Sequence, residues 1–413
     1  MPPRRLIILG STGSIGVSTL EVVEHLNAAG HAPFDVVGVA TGSRAEIACE
    51  QARKFSVPNV AVANGGAHDC LRQINAKVFH GADAALEMIE AIAQPGDMVI
   101  GAMVGSAGIP AILAAIDRGC DIALANKETL VAAGAIVMPR VRAKGVNLLP
   151  VDSEHSAIYQ CLEASRHRGI KASSERAVDA RSVSRIILTA SGGPFRTWSA
   201  DRIARATVDE ALNHPTWSMG PKVTIDSASL MNKALEIIEA HWLFDAPADK
   251  IDVIIHPQSI VHGLVEYADG SVIAQLSPPD MKTPIQYALT WPDRCDGVSR
   301  KVDWTTMRKL EFEPVDHAKF AAPSLAKRVI EAGEAGATSG AILNAANEVA
   351  VQAFLDRTIS FGRIVELVQE AFEAIESGPV HTMNDVLAAD LAAREFVRER
   401  VLVKRETAAG VSR

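Results

Sequence analysis

Four polar residues follow an apolar run in the segment LLPVDSEHSAI, residues 148–158. On an extended chain, residues two apart face the same way, so we expect Asp152 and Glu154 to direct their carboxylates to one point, while Ser153 and His155 face elsewhere. Two such charges repel each other, and a divalent cation such as Mg²⁺ or Mn²⁺ removes the conflict. The alternative is a helix whose N-cap is Asp152 or Ser153.

A third carboxylate lies in DSASLMNKALEIIEAHWLF, residues 226–244. If this segment is one helix, Ser229, Asn232, Lys233 and Glu236 share a face. Glu236 could then complete a site of three carboxylates, while Asn232 and Lys233 bind oxygen atoms of a substrate. The alternative for such a polar stripe is exposure to solvent.

Two loops offer further ligand contacts. SRIILTASGGPF is a strand that ends at Ser191, and its glycines predict a loop that brings a hydroxyl and backbone amides to a phosphate, or else an ordinary turn. EALNHPTWSMGPK, residues 210–222, predicts a lid in which His214, Trp217 and Met219 face a ligand and exclude water. An exposed loop with a partly buried tryptophan is the alternative.

The N-terminal segment RRLIILGSTGSIGVSTLEVVEHL predicts a strand, a glycine turn and a helix, the arrangement that binds the pyrophosphate of a dinucleotide. A second strand over 36–40 should lie beside the adenosine ribose, where enzymes that prefer NAD commonly carry an acidic residue. This chain instead has Thr41, Gly42, Ser43 and Arg44. A hydroxyl and a guanidinium favour the 2′-phosphate of NADP(H), unless Arg44 only begins a solvated helix.

Alternating strands and helices continue to about residue 151 and predict an α/β fold with a Rossmann-type, doubly wound parallel sheet. The predicted strands are NVAVA, KVFHG, DMVIGA, DIALA and VNLLPVD, separated by helices over 83–93, 109–118 and 128–143. Ligands bind at the carboxyl ends of such strands, and ALANKETL places Asn126, Lys127 and Glu128 at one of them. The alternative is that Lys127 and Glu128 only cap the following helix.

Composition excludes several classes of protein. Of 413 residues, 48% are hydrophobic and 22% are charged, and no run of apolar residues is long enough to cross a membrane. The net charge of −8 argues against nucleic acid as a partner. The five cysteines form no CxxC pair, so we expect neither a zinc knuckle nor a disulfide framework. The N-terminal apolar run is too short for a secretory signal, and we expect a cytoplasmic protein.

Seven motifs of this sequence resemble those of the 1-deoxy-D-xylulose 5-phosphate reductoisomerases, in the same order, from about residue 5 to about residue 400. They are GSTGSIG, ANKETLV, VDSEHSAI, ASGGPF, NHPTWSMG, DSASLMNKALE and HPQSIVH. The resemblance implies an NADP-dependent oxidoreductase that uses Mg²⁺ or Mn²⁺. It would rearrange and reduce 1-deoxy-D-xylulose 5-phosphate, a small phosphosugar, to 2-C-methyl-D-erythritol 4-phosphate in the non-mevalonate isoprenoid pathway.

The resemblance also assigns roles to residues. It implies catalytic roles for Lys127, Asp152, Glu154, His214, Lys233 and Glu236. It implies metal ligation by Asp152, Glu154 and Glu236, and NADPH contacts by Thr12, Gly13, Ser14, Ile15, Gly42, Ser43, Arg44, Asn126, Glu128 and Gly220. The implied substrate contacts are Lys127, Ser153, Glu154, Ser191, His214, Ser227, Asn232, Lys233 and Glu236. Spacing alone favours Ser229 and treats Ser227 as a helix cap. The family often has asparagine where this chain has Arg44.

Together these observations predict an NADPH-binding Rossmann domain over 1–151 and a central α+β catalytic domain over 152–290, which the resemblance implies also forms a homodimer. A linker over 291–316, an α-helical C-terminal domain over 317–403 and a frayed tail over 404–413 follow. The segment IDVIIHPQSIVHGLVEYADGSVIAQLS predicts a second sheet with a hairpin turn at Asp269 and Gly270.

Two alternative functions stay open. One is a metal-dependent phosphosugar isomerase or aldolase that uses no nicotinamide. The predicted second strand and Arg44 argue against this alternative, because they favour a bound NADP(H). The other is a non-enzymatic NADPH sensor, which would not need three convergent carboxylates.

Overall fold

A seven-stranded parallel sheet forms the N-terminal part of the chain, as predicted, with strand order β4-β3-β2-β1-β5-β6-β7. The computed structural model describes residues 3–30, 33–64, 69–164, 182–333 and 337–410. The strands are β1 (Arg4–Leu9), β2 (Phe34–Thr41), β3 (Asn59–Val62), β4 (Lys77–His80), β5 (Met98–Gly101), β6 (Asp121–Leu124) and β7 (Leu148–Pro150). The strand order reverses between β1 and β5, and a ligand crevice is expected at that point.

Helices cover both faces of this sheet, which explains why consecutive residues of β1, Leu6 to Leu9, are all apolar and buried. They are α1 (Ser14–Ala29), α2 (Ala45–Phe55), α3 (Asp69–Arg72), α4 (Ala84–Ile92), α5 (Ile109–Asp117) and α6 (Glu128–Lys144), with a 3₁₀ turn at Ser106–Gly108. The three predicted helices are confirmed to within one residue at each end. Between β1 and α1, Gly10 has φ +90°, and a Cβ there would lie 2.3 Å from the Ala102 carbonyl oxygen. Only glycine therefore permits this turn.

A second sheet of five strands follows, in the order β11-β10-β8-β9-β12. Its strands are β8 (Val183–Ala190), β9 (Ile251–Ile255), β10 (Val261–Tyr267), β11 (Val272–Leu276) and β12 (Glu313–Pro314). The hairpin predicted at Asp269 and Gly270 is confirmed, since β10 and β11 pair antiparallel and Gly270 has φ +83°. The segment 291–316 is more than a linker, because its strand β12 pairs with β9.

The helices of this central part are α7 (Ser153–Ala164), α8 (Ala200–Ala204), α9 (Val208–Leu212), α10 (Pro221–Ala228), α11 (Met231–Phe244) and α12 (Lys282–Thr290), with a 3₁₀ turn at Ala248–Lys250. The single helix predicted over 226–244 is wrong. Leu230 has φ +56° and separates α10 from α11. Ser229 therefore does not share a face with Asn232, and its buried hydroxyl donates to the Ile225 carbonyl oxygen at 3.1 Å.

Four helices form the C-terminal part, namely α13 (Ala322–Gly333), α14 (Ser339–Leu355), α15 (Arg363–Ala374) and α16 (Met383–Gly410). The frayed tail predicted from residue 404 is wrong up to Gly410, because α16 continues that far, through residues that mostly favour helix. Residues 411–413 lie outside the described part. Across the described ranges, no helix has the length and apolar character that crossing a bilayer requires.

The C-terminal helices pack closely on the N-terminal part through α14 and α6. A Cβ at Gly340 would lie 1.9 Å from the Val131 carbonyl oxygen, so the two helix backbones touch. On another side of α6, a Cβ at Gly134 would lie 2.4 Å from the Trp242 ring of α11. Glycine at both positions lets α6 pack against helices from later in the chain.

Candidate active site

Three carboxylates converge where α7 meets α11. The ligand oxygens of Asp152, Glu154 and Glu236 lie within 4.8 Å of one another. Contrary to the prediction, Asp152 and Glu154 do not lie on an extended chain, because β7 ends at Pro150 and α7 begins at Ser153. The alternative, a helix start, is therefore present here as well. Ser153 does not face elsewhere, since it lines the same cavity as the carboxylates.

Lys127 joins two of these carboxylates from the N-terminal sheet. Its Nζ contacts Asp152 and lies 2.9 Å from Glu236 Oε1. It also donates to Asn232 Oδ1 at 3.0 Å. The position follows from the fold, because Lys127 immediately precedes α6 at the carboxyl end of β6. A residue of the parallel sheet thus completes a site built mainly by α7 and α11.

Lys233 is the second ammonium of the cluster. Its Nζ lies 2.7 Å from Glu154 Oε1 and also contacts Glu236. Lys233 and Glu236 are 3% and 0% exposed, so this charge is held almost without solvent. Three carboxylates face two ammoniums, and the cluster keeps an excess of negative charge.

The pKa values of Glu154 and Asp152 reflect the excess of carboxylates over ammonium groups in the cluster. Burial and the neighbouring Glu236 carboxylate together raise the pKa of Glu154 to about 7. Burial would also raise the pKa of Asp152, but Lys127 outweighs it and holds that pKa below its usual range. Oxygen ligands with unbalanced negative charge are what a hard divalent cation requires, so these residues fit Mg²⁺ or Mn²⁺. The ligand role itself stays a prediction.

Glu239, which was not predicted from the sequence, lies behind the cluster. It is fully buried, and neither of its carboxylate oxygens has a hydrogen-bond partner among the described residues. Its Oε2 lies 3.3 Å from His155 Nδ1, and His155 Nε2 lies 2.8 Å from the Glu236 carbonyl oxygen. Burial raises the pKa of Glu239 well above its usual value. Its spacing of three residues from Glu236 was the available signal.

His214, on the predicted lid, contacts the predicted phosphate-binding loop at Ser191 and the helix α10 at Ser227. Its Nε2 lies 3.1 Å from Ser191 Oγ and 3.1 Å from Ser227 Oγ. Its Nδ1 accepts hydrogen bonds from the backbone amides of Thr216 and Trp217. Nδ1 is therefore an acceptor, so the proton of the neutral ring is on Nε2 and points to the serines. Burial lowers the pKa of His214, which favours this neutral form.

One cavity of about 510 Å³ contains most of the predicted site residues. It is lined by Lys127, Asp152, Ser153, Glu154, Ser191, Ser227, Asn232, Lys233 and Glu236, and by Trp217, Met219 and Gly220 of the predicted lid. His262, which the sequence analysis did not select, also lines it and faces the Trp217 ring. Ser14 and Ile15 of α1 line the same cavity, so the glycine turn and the carboxylates open into one space.

The glycine turn fits a dinucleotide phosphate. Gly13 is the N-cap of α1 and provides no side-chain cap, so the first amides of the helix are available to a ligand. The buried Ser11 Oγ has no partner within the described residues. Two side chains brace the turn: Arg44 Nη1 donates to the Thr12 carbonyl oxygen, and Gln51 Nε2 to that of Ser11, both at 2.9 Å.

The residues that follow β2 are placed at the start of α2. Arg44 does begin this helix, as the alternative held, but its guanidinium turns back to the glycine turn. Ser43 is exposed, and no atom lies within 4 Å of a Cβ built at Gly42 or Gly220. Space for a ligand is therefore present beside Arg44.

The side chain of Asn126 forms hydrogen bonds within the protein. Its Nδ2 donates to the Gly105 carbonyl oxygen at 2.9 Å, and its Oδ1 accepts from the Thr129 amide at 3.2 Å. Asn126 therefore shapes the loop after β5 and the start of α6. A direct contact with NADPH rests on the resemblance alone.

Glu128 is likewise held by the protein. Its Oε1 lies 3.2 Å from Lys222 Nζ, which also lies 2.8 Å from Asp226 Oδ2. Asp226 Oδ1 in turn accepts from Asn347 Nδ2 of α14 at 2.9 Å. This buried chain joins α6, α10 and the C-terminal helices, and α10 begins within the last residues of the predicted lid. The sequence analysis did not identify Lys222 or Asn347.

Comparison with known proteins identifies the same family over nearly the whole chain. A family model described as 1-deoxy-D-xylulose 5-phosphate reductoisomerase matches residues 6–134, and the model of its C-terminal domain matches 148–244. A further DXP reductoisomerase C-terminal domain model matches 276–396. The 1-deoxy-D-xylulose 5-phosphate reductoisomerase of Geotalea uraniireducens is 48% identical over 400 residues, covering 96% of this chain and 98% of the relative.

Solved structures agree in fold as well as sequence. The 1-deoxy-D-xylulose 5-phosphate reductoisomerase of Zymomonas mobilis, in complex with NADPH, is 38% identical with a TM-score of 0.85, covering 97% of this chain and 99% of that one. A DOX-P reductoisomerase in complex with NADPH, fosmidomycin and magnesium is 34% identical with a TM-score of 0.88, at the same coverage. The predicted resemblance is confirmed: this chain belongs to the 1-deoxy-D-xylulose 5-phosphate reductoisomerase family.

Proposed function

We propose that this chain converts 1-deoxy-D-xylulose 5-phosphate into 2-C-methyl-D-erythritol 4-phosphate, with NADPH as reductant and Mg²⁺ or Mn²⁺ as metal. One observation carries the proposal: the glycine turn of α1 and the three-carboxylate cluster open into one cavity. Solved relatives bound to NADPH and to magnesium support the choice of cofactors. Neither the isomerase or aldolase alternative nor the sensor alternative would need both sites together.

Asp152, Glu154 and Glu236 are the proposed metal ligands. A divalent cation held there supplies charge that stabilises the substrate oxygens as they become negative during rearrangement. Lys127 and Lys233 keep the carboxylates in position through the ion pairs described above. Because the cluster is buried, each of these interactions acts in a medium of low dielectric constant, where it is strong.

Ser191, Ser227 and His214 are proposed to bind the substrate phosphate, with Asn232 and Lys233 on its sugar oxygens. The two hydroxyls and the Nε2 proton of His214 already meet at one point. Binding energy from the phosphate, remote from the reacting carbons, would orient the substrate. NADPH, bound at the turn of α1, supplies the hydride that reduces the rearranged aldehyde.

The segment 210–222 is proposed to act as a lid. Trp217 and Met219 are half-buried and line the cavity. Covering the substrate with these two side chains would exclude water from the reacting atoms. His214 belongs to the same segment and already contacts Ser191 and Ser227, so a phosphate bound by these three residues would hold the lid in place.

We infer a cytoplasmic homodimer with domains over 1–151, 152–290 and 317–403. The five cysteines are free thiols, which suits a reducing compartment. The five-stranded sheet supports dimerisation, because its edge strand β11 exposes Val272, which is 51% accessible. An uncovered edge with an apolar side chain is a surface that a second copy can bury.

The first experiment is NADPH oxidation by the purified chain with 1-deoxy-D-xylulose 5-phosphate, with Mn²⁺ and again with a chelator. We expect oxidation that requires substrate, stops with the chelator and returns with metal. Conversion of a phosphosugar without NADPH loss would support the isomerase or aldolase alternative. Binding of NADPH without turnover under any metal would support the sensor alternative.

A further inference from the structure

Cys49 of α2 and Cys70 of α3 form a close pair of sulfurs in the N-terminal part of the chain. Their Sγ atoms are 2.7 Å apart, although the residues are 21 positions apart in the chain. Atoms in van der Waals contact normally approach to only about 3.5–4.0 Å, whereas the two sulfurs of a disulfide are about 2.05 Å apart. A movement of about 0.7 Å would therefore bring the two sulfurs to bonding distance.

The two thiols differ in access. Cys49, on α2, is fully buried, while Cys70, on α3, is partly exposed. Burial raises the pKa of the Cys49 thiol to about 12, and its contact with Cys70 adds to this. Cys49 is therefore the less reactive of the two thiols towards a soluble oxidant, which reaches Cys70 first.

We propose that Cys49 and Cys70 are a modification site, at which a peroxide forms an intramolecular disulfide that joins α2 to α3. Peroxide oxidises the Cys70 thiol to a sulfenic acid and releases one water. The Cys49 sulfur then attacks the Cys70 sulfur, the S–O bond breaks, and the oxygen leaves as a second water with the Cys49 proton. Two thiols and one peroxide thus give one disulfide and two waters.

The position of α2 decides what this bond does. Arg44 and Gln51, on either side of Cys49, hold the glycine turn through the Thr12 and Ser11 carbonyls. Because the sulfurs need to move so little, the bond leaves α2 and the turn in place. The bond links α2 covalently to α3 and so opposes local unfolding of β3, which lies between them in the chain. Intracellular disulfides of this kind are usually transient and respond to oxidants.

Peptide mapping of the full chain after peroxide treatment tests the proposal directly. Trypsin cleaves at Arg53 and Lys54, between the two cysteines, so a peptide of residues 45–53 linked to one of residues 55–72 identifies the bond. We expect this species, two hydrogens lighter than its separate peptides and released by dithiothreitol. Cys49→Ser and Cys70→Ser should each abolish it, whereas Cys120→Ser, at another buried cysteine, should not. If one of the first two variants fails to fold, the other decides.

Thermal unfolding and NADPH binding test whether the disulfide stabilises the protein without moving the glycine turn. Oxidised wild-type protein should unfold at least about 3 °C higher than reduced protein. Its NADPH dissociation constant should stay within about twofold, which is about 0.4 kcal/mol. No linked peptide once Cys70 is fully oxidised, a linkage between different chains, or an unchanged melting temperature would overturn the proposal. A larger change in NADPH affinity would show that the bond displaces the turn.

Discussion

Acid is expected to destabilise the protein through His262, which lines the cavity from β10. This residue is 4% exposed, its Nε2 lies 3.1 Å from the Ser277 carbonyl oxygen, and its ring faces Trp217. Burial lowers the pKa of His262 from 6.5 to about 4; the hydrogen bond to Ser277 opposes this, and the charge of Lys233 adds to it. The folded protein therefore binds this proton more weakly than the unfolded chain does.

The sign and size of the effect follow from this difference. The stability that neutral His262 contributes is complete above pH 6.5 and is lost as the pH falls from 6.5 to about 4. Each unit of pKa corresponds to about 1.36 kcal/mol, so the full loss is about 3 kcal/mol. We expect the free energy of unfolding to fall by up to about 1.4 kcal/mol per pH unit in this range from His262 alone.

Urea denaturation of wild-type protein and His262→Gln, between about pH 7.5 and 4.5, measures the effect. Glutamine keeps a hydrogen-bond donor but cannot gain a charge. The variant should be less stable than wild type at high pH, and the difference should shrink by about 2.5 kcal/mol by pH 4.5. His80→Gln, at an exposed histidine, should leave the pH dependence unchanged. Parallel curves for wild type and His262→Gln would show that His262 does not cause the loss of stability in acid.

Three other predictions concern the site and its supports. Glu236→Gln should lower metal-dependent turnover at least about 100-fold while NADPH binding, followed by fluorescence, stays intact; survival of activity at wild-type metal concentrations would exclude Glu236 as a ligand. Arg44→Ala should weaken binding of NADPH about 10-fold or more, with little change for NADH, since it removes a charge-assisted contact to the 2′-phosphate. A binding titration measures both affinities. Equal losses for the two nucleotides would mean that Arg44 only supports the glycine turn. Lys222→Met should lower the free energy of unfolding by about 3–5 kcal/mol, because it leaves Glu128 and Asp226 buried without their cation. Adding Glu128→Gln should restore part of the lost stability. If urea denaturation shows strictly additive effects of the two substitutions, Lys222 and Glu128 are not energetically paired.

The parallel sheet was predictable because its signals are local. Strands buried on both faces are continuous apolar runs, and Gly30 and Gly145 end their helices with φ near +69° and +66°. The break between α10 and α11 had no such signal. Leu230 adopts a left-handed conformation that a leucine rarely takes, and only the surrounding packing imposes it.

The candidate site was predictable in its composition but not in its geometry. The carboxylates were found by their spacing, yet the strand-to-helix turn, not pleating, directs Asp152 and Glu154 together. Glu239 and Lys222 were missed because their importance depends on burial and on partners from distant segments. The proximity of Cys49 and Cys70 likewise exists only in the folded chain.

The contact between Gly340 and Val131 bears on how the chain folds during synthesis. Gly340 follows Val131 by 209 residues, and α6 is apolar on nearly every side. At about 5–20 residues per second, a ribosome needs about 10 seconds or more to make the partner of α6. The parallel sheet can form before then, but one face of α6 stays uncovered throughout. We expect nascent chains that stop before α14 to bind chaperones and to aggregate more readily than the complete chain.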